Sequence, residues 1–175
     1  MARLDARRLD AWRSWQLDVR RLERRLDDGL REQWDISLAW FEVLAGLQRR
    51  RGRARPSDLA DDLAIPPSSL SRRLDRLAEE GWVARQRVDG DRGDARAVVV
   101  ELTATGRRLW REMNVTYRRL VQQHVAGRLD EGHISAIESV VAMLRPALDS
   151  ADAAAEVRVD ADDGATGDTT VHLER

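Results

Sequence analysis

The sequence contains no cysteine and no lysine, and all 30 of its basic residues are arginine. We attribute the arginine bias to the codon usage of a GC-rich genome and not to a design for phosphate contacts. Without cysteine the chain forms no disulfide and carries no thiol-based redox sensor. It has no run of about 18 apolar residues, and its N-terminus lacks an apolar segment of the signal-peptide type. We therefore expect a soluble, cytoplasmic protein with no membrane partner.

Charge is distributed unevenly along the 175 residues, although the formal net charge is only −1. Residues 48–96 carry twelve arginines against nine acidic residues, whereas residues 150–175 carry seven acidic residues against two arginines. A basic middle is thus masked in the total by an acidic C-terminal segment, and the distribution says more about binding partners than the sum does. The length suits one domain with long flanking helices or a tail.

Amphipathic helices are predicted towards both ends of the chain. Apolar residues at steps of three or four predict helices over residues 4–30, 38–50, 104–126 and 131–147. The apolar stripe of the first helix has no partner within its own segment, so it must pack on a distant surface. From residue 151 onward Ala, Asp, Gly and Thr dominate without periodicity, and we expect a disordered acidic tail over 151–175.

Two short helices and a hairpin are predicted between the long helices. A helix over residues 57–63 is followed by a Pro-rich turn and by a second helix, which starts near Pro67 and ends at Gly81. The hydrophobic period then changes and predicts two strands, over 82–88 and 96–102, separated by a turn-rich, charged tip. This order of elements is typical of a winged helix-turn-helix, in which the second helix of the pair enters the major groove of DNA.

The second helix of this pair carries side chains that suit base reading. Arginine reads guanine with two hydrogen bonds, serine contacts bases or phosphates, and an arginine at the hairpin tip suits a narrow minor groove. Residues of these types are also common on plain solvated helices, but the order of elements favours the DNA interpretation. The predicted DNA contacts are Ser68, Ser69, Ser71, Arg72, Arg73 and Arg76 on the helix, and Arg92 and Arg96 in the hairpin.

Three segments carry a more specific pattern: SLAWFEVLAGL (37–47), SDLADDLAIPPSSLSRRLDRLAEEGWVARQRV (57–88) and DARAVVVELTATG (94–106). In the last of these, Asp94 and Arg96 precede a strand that ends in Leu102 and Thr103. Together the segments resemble the multiple-antibiotic-resistance regulator (MarR) family of bacterial transcription factors. The stretch 89–93 before the wing is slightly longer than is usual in that family.

The resemblance implies a mainly α fold with a small β-hairpin wing, in which N- and C-terminal helices of two copies interlock as a homodimer. It divides the chain into an N-terminal dimerisation helix (1–36), a DNA-binding lobe (37–103), C-terminal dimerisation helices (104–150) and the tail (151–175). Such a homodimer reads a pseudo-palindromic operator in double-stranded DNA. Many members are repressors, released by a small aromatic or phenolic ligand that favours another spacing of the recognition helices.

The sequence is rich in tryptophan, with six beside one Phe and one Tyr. By the resemblance, the first two helices border the effector pocket, and the predicted ligand contacts there are Trp12, Arg13, Trp15 and Trp40. An aromatic carboxylate would suit such a pocket. The alternative is that these tryptophans fill the core of the dimer.

Other functions receive less support from the sequence. It shows no nucleophile elbow, phosphate-binding loop or metal-ligand spacing, so we expect no enzyme, no metal and no cofactor. A winged helix that binds protein instead of DNA is an alternative, which the basic helix and the wing arginines disfavour. A regulator of the same family without a small-molecule effector is a further alternative.

Overall fold

The computed structural model describes residues 4–88 and 97–163. The chain forms two compact units, Met1–Arg128 and Leu129–Arg175. The elements of the first unit are α1 (Ala6–Trp34), α2 (Leu38–Arg49), β1 (Arg53–Ala54), α3 (Pro56–Asp62), α4 (Pro67–Glu79), β2 (Val83–Val88), β3 (Ala97–Leu102), α5 (Ala104–His124) and a 3₁₀ turn (Ala126–Arg128). The second unit contains α6 (Glu131–Asp163). Of the helices in these ranges, none has the length and hydropathy that crossing a membrane requires.

The helices and the antiparallel hairpin confirm the predicted winged-helix fold class. The sheet has one strand more than the sequence predicted, because β1 pairs with β3 and gives the strand order β1-β3-β2. Strand β1 is two residues long, which is too short to show any hydrophobic period. It directly follows Gly52, whose φ of +87° turns the chain out of α2 in a conformation that glycine adopts readily.

Side-chain caps and prolines fix where several helices begin. The side chain of Ser37 accepts a hydrogen bond from the backbone N–H of Trp40, and that of Thr103 accepts one from Gly106. Helices α3 and α4 instead begin at a proline, which loses nothing by lacking an N–H in the first turn.

The buried side chains of the first unit form two clusters. One cluster joins α2, α3, α4 and the sheet, and the other joins α1, α2 and α5. Trp40 and Trp82 are half-buried and pack against both clusters. Their rings meet edge to face, with centroids 6.0 Å apart and an interplanar angle of 69°, so this aromatic pair joins the two cores.

Helix α6 corrects the expected start of the disordered tail. We expected the last helix to end near residue 147 and disorder to begin at residue 151, but α6 continues to Asp163. Residues 151–163 include five alanines and no Gly or Pro. Alanine has the highest helix propensity of any residue, so a segment without amphipathic periodicity can still be helical. Residues 164–175 of the predicted tail lie outside the described residues.

The end of α4, the start of β2 and the first turn of α5 meet at one junction. The hydroxyl of Thr103 donates to the carbonyl oxygen of Gly81 at 2.8 Å, and its backbone N–H donates to that of Trp82 at 3.1 Å. A Cβ atom added at Gly106 would lie 2.0 Å from the carbonyl oxygen of Trp82. The junction therefore requires glycine at position 106.

Arg50, directly after α2, ties the end of that helix to α3. Its guanidinium donates two hydrogen bonds to Asp62, one of them at 2.9 Å, and contacts Asp58 at 3.4 Å. The hydrogen bonds from Arg50 lower the pKa of Asp62 below its ordinary 3.8. This arrangement holds the first helix of the helix-turn-helix pair against α2.

The Gly106→Ala variant should lose about 3 kcal/mol of unfolding free energy, because its methyl group would overlap a backbone carbonyl that cannot move alone. Urea denaturation followed by circular dichroism measures the change. Gly132→Ala is the control: its Cβ meets only a side-chain oxygen of Asp130, at 3.3 Å, so stability should be unchanged or raised by up to about 1 kcal/mol. Equal stabilities of the two variants would contradict the steric account of the junction.

The Arg50→Gln variant should be slightly less stable than the parent at neutral pH, and the loss should be small because the ion pairs are partly exposed. Because the pKa of Asp62 is lowered in the folded protein, its contribution is present above pH 3.8 and is lost as the pH falls through the lower, folded value. Urea denaturation over a pH series should therefore show the two proteins converging in acid. Arg55→Gln, which removes an exposed arginine at the start of α3, is the control. A difference that is independent of pH would refute this role of Asp62.

Candidate nucleic-acid interface

Helix α4 has two faces of opposite character. Leu70, Leu74 and Leu77 are buried in the core. Successive residues of a helix three or four apart lie on one face, so this stripe fixes which side of α4 meets solvent. The exposed side presents predicted DNA contacts together: Ser68, Ser71, Arg72 and Arg76. Ser69 is partly buried beside them.

Arg73 differs from the other predicted contacts of α4 because it lies on the flank that faces α2. It is half-buried, and its Nη1 donates to the carbonyl oxygen of Ala39 at 3.4 Å. It also attracts the carboxylate of Glu42. Position 73 lies three residues after Leu70 and four before Leu77, which places it beside the buried stripe. Arg73 thus takes part in the packing of α4 on α2.

The two exposed arginines of α4 are available for other partners. Arg76 pairs with Glu79 at 2.9 Å, but both side chains are mostly exposed, and an exposed pair of this kind contributes little free energy. Arg72 makes no ion pair with any residue in the described ranges. Both guanidinium groups can therefore meet a phosphate or a base edge at little cost.

Arg85 of β2 lies beside the exposed side of α4, and the sequence does not predict this position. Its guanidinium pairs with Asp75 of α4 at 2.8 Å and approaches the carbonyl oxygen of Ser71 at 3.5 Å. The contact holds the sheet against α4 and neutralises the acid on the exposed side of that helix. The residue pattern of a strand does not predict this ion pair, because the pair depends on how the sheet crosses α4.

The tip of the predicted wing, with Arg92 and Arg96, lies outside the described residues. The strands that carry the tip are described and pair in antiparallel register from Val83↔Leu102 to Val88↔Ala97. The hairpin is thus confirmed, and the positions of its two predicted DNA contacts stay a prediction.

The predicted ligand contacts do not form one site within a single chain. Trp12 and Trp15 are 52% and 53% exposed, and Arg13 between them is exposed as well. Trp15 lies about 16 Å along α1 from Leu26, the first residue of that helix in the core. Trp40, by contrast, is half-buried between the two core clusters.

A cavity of about 530 Å³ lies between α2, the end of α3 and α5. Its aromatic wall includes Phe41 and Tyr117, whose ring centroids are 4.7 Å apart. Trp110 also lines it, and the indole N–H of that residue is buried without a hydrogen-bond partner among the described residues. The charged lining residues are Glu42, Arg49 and Asp62. In the sequence, the seven-residue spacing of Trp110 and Tyr117 on α5 is a weak indication of this aromatic wall.

Glu42 lines this cavity and remains exposed to solvent. Its pKa is raised, chiefly because partial desolvation disfavours the charged form, and Glu23 adds repulsion that Arg73 and Arg49 oppose. The pKa of Tyr117 is raised by burial and by the negative charge of Glu42. Over the described ranges, no three His, Cys, Asp or Glu side chains are grouped as a metal site would require.

Comparison with known proteins gives a consistent result. The family model described as "MarR family" matches residues 34–92, from the end of α1 through β2. The regulator PecS of Dickeya dadantii is 34% identical over 105 residues, which is 59% of this chain and 57% of PecS. The alignment therefore spans little more than half the length of that relative.

Two solved structures share the fold. Sco3205 of Streptomyces coelicolor, a MarR family transcriptional regulator determined in complex with DNA, is 26% identical with a TM-score of 0.75, over 85% of this chain and 91% of that one. The organohalide-sensing regulator RdhR, determined with 2,4-dichlorophenol bound, is 20% identical with a TM-score of 0.67, over 82% and 81%. The helix pair and strand β2 lie within the residues that the family model matches, and over this part the chain is similar to MarR family regulators.

Proposed function

We propose that the protein is a sequence-specific, DNA-binding transcription regulator whose helix α4 reads the major groove. The observation that carries the proposal is the exposed group of Ser68, Ser71, Arg72 and Arg76, opposite a buried leucine stripe. The DNA complex of Sco3205 supports the same use of the fold. A regulator of this kind acts on the chromosome, in the bacterial cytoplasm.

The functional form in this proposal is a homodimer. Helix α1 exposes Trp12, Trp15 and Leu17, and α6 exposes Val140, Val141, Met143, Leu144 and Leu148. Exposed apolar surface of this extent marks an interface. We assign residues 1–36 and 104–150 to dimerisation and 37–103 to the DNA-binding lobe. Two lobes related by a two-fold axis read a pseudo-palindromic operator, with half-sites about one helical turn apart.

The proposed regulator is a repressor that a small ligand releases from its operator. A ligand has this effect only if it binds one spacing of the two recognition helices more tightly than the other. The dichlorophenol bound to RdhR supports a small-molecule effector. Because Trp12, Arg13 and Trp15 are exposed in one chain, any pocket that they form needs the second copy.

Replacing Arg72 or Arg76 by Ala should weaken binding to the preferred operator by about 10- to 100-fold, as each removes a contact to a base edge. The operator is first obtained by selection from random duplexes with the full chain, and affinities are then measured by fluorescence anisotropy. Binding to an unrelated duplex should change much less. Arg111→Ala, an exposed arginine of α5, is the matched control. Unchanged operator binding by both α4 variants would show that α4 is not the reading helix.

Replacing Arg92 and Arg96 by Ala should weaken binding to all duplexes about equally. It should also make the dependence of affinity on salt shallower, with the slope falling by about 1 for each phosphate that is no longer neutralised. Anisotropy titrations over a salt series give the slope. The selection from random duplexes tests the alternative of a winged helix that binds protein, because such a protein would return no preferred duplex. A slope identical to that of the parent would remove the wing from the interface.

A further inference from the structure

We propose that two arginines beside β1, Arg53 and Arg55, bind phosphates of the DNA backbone outside the base pairs that α4 reads. The inference rests on the proposed DNA-binding function, and it extends the interface to an element that belongs neither to the helix-turn-helix pair nor to the tip of the hairpin. The partner is duplex DNA of any sequence, because a guanidinium on a phosphate carries no sequence information.

The link between α2 and α3 concentrates positive charge. It holds five of the twelve arginines of the basic middle, although it spans only residues 49–55. Two of the five face an acid: Arg50 pairs with Asp62, and the charge of Arg49 helps to lower the pKa of the same carboxyl group. The other three are exposed and make no ion pair within the described ranges: Arg51, Arg53 and Arg55. The fold therefore leaves unpaired positive charge directly before the helix-turn-helix pair.

Arg53 and Arg55 lie on the same side of the chain. Side chains alternate between the two faces of a strand, and the backbone stays extended through Arg55, with φ −72° and ψ 143°. Ala54 between them is buried, so both arginines point away from the core. Arg53 lies opposite Glu101 in the register, but Arg107 pairs with this acid at 3.5 Å. Because Arg107 neutralises Glu101, Arg53 remains available for another anion.

The register also shows which end of the sheet Arg55 approaches. Strand β3 begins at Ala97, next to the tip of the hairpin, and β1 runs antiparallel to it. Since Ala54 pairs with Val100, the chain at Arg55 is level with residue 99, about 7 Å from Ala97. In the proposed complex this end of the sheet faces DNA, because the tip carries the predicted wing contacts.

The strand order separates these arginines from α4. Helix α4 is tied to the sheet through Arg85 of β2, whereas β1 lies at the opposite edge, two strand spacings or about 10 Å away. That distance corresponds to about three base pairs of duplex DNA, at about 3.4 Å per pair. Arg53 and Arg55 thus meet phosphates that flank the bases contacted by α4, and they add affinity without changing which bases are read.

The placement is tested with the full chain and two duplexes that contain the selected operator. The short duplex ends at the outermost base pairs that selection defines. The long duplex has about six more pairs of arbitrary sequence at each end, twice the offset between β1 and β2. The parent should bind the long duplex about tenfold more tightly than the short one, and Arg53→Ala/Arg55→Ala should lose this gain.

The matched control is Arg111→Ala/Arg118→Ala, which removes two exposed arginines of α5 and should keep the gain. Two results would overturn the proposal. In the first, the variant without Arg53 and Arg55 keeps the gain of the parent. In the second, it loses affinity equally for both duplexes, so that its contacts lie within the operator.

The kind of contact is tested by substitution with lysine. Arg53→Lys/Arg55→Lys should recover most of the gain, because a phosphate accepts any positive charge, whereas reading guanine with two hydrogen bonds requires the guanidinium fork. The ratio of affinities for the operator and for an unrelated duplex of equal length should be the same in the parent and in the alanine variant. A changed ratio, or no recovery with lysine, would contradict phosphate contacts.

Failure of this inference is distinguishable from failure of the proposed function. If Arg72→Ala weakens operator binding while Arg53→Ala/Arg55→Ala changes nothing, α4 reads DNA and the arginines beside β1 do not contact it. If selection returns no preferred duplex, the proposed function itself fails, and the inference fails with it.

Discussion

The carbonyl oxygen of Trp82 occupies the space where any side chain at position 106 would lie, and much of the fold depends on this close approach. It brings the first turn of α5 onto the residue that links α4 to β2. Thr103 stabilises this close approach as well, because Thr103 directly follows the last paired residue of β3 and caps α5. Helix α4, the hairpin and α5 are thereby fixed to one another over a few residues. A displacement of α5 must therefore move α4 and the wing with it.

Helix α4 is also held along its two flanks by arginines that serve the fold. Arg73 anchors it to α2 through the carbonyl oxygen of Ala39, and Arg85 anchors it to the sheet through Asp75. Both contacts are partly solvated, so each contributes modestly, while the leucine stripe provides most of the hold. The leucines determine how deeply α4 packs into the core, and the polar contacts at its flanks determine its rotation about its own axis. In the proposed function, that rotation decides which side chains of α4 reach a base edge.

The sequence predicted those features that depend on neighbours along the chain. Helices α2, α4 and α5 and the two strands of the hairpin all follow from local periodicity and from the turn residues between them. Features set by distant contacts were not predicted. Strand β1 exists because β3 offers it a partner, and the cavity depends on the packing of α2 against α5 beside Phe41 and Tyr117. The helix over 151–163 was not predicted for another reason. It has no amphipathic period, and the high helix propensity of alanine decides its conformation.

The pairing of arginines explains how a chain of net charge −1 can present a basic surface. The basic middle has only three more arginines than acids, and several of these arginines are used internally. Arg50 pairs with Asp58 and Asp62, and Arg85 pairs with Asp75. Each such arginine also neutralises an acid, so the excess of positive charge survives the pairing. What remains exposed on α4 is Arg72, with Arg76 in a weak pair. The proposed attraction to DNA thus depends on which arginines the fold leaves available, and composition alone does not predict this because it is a property of the packing.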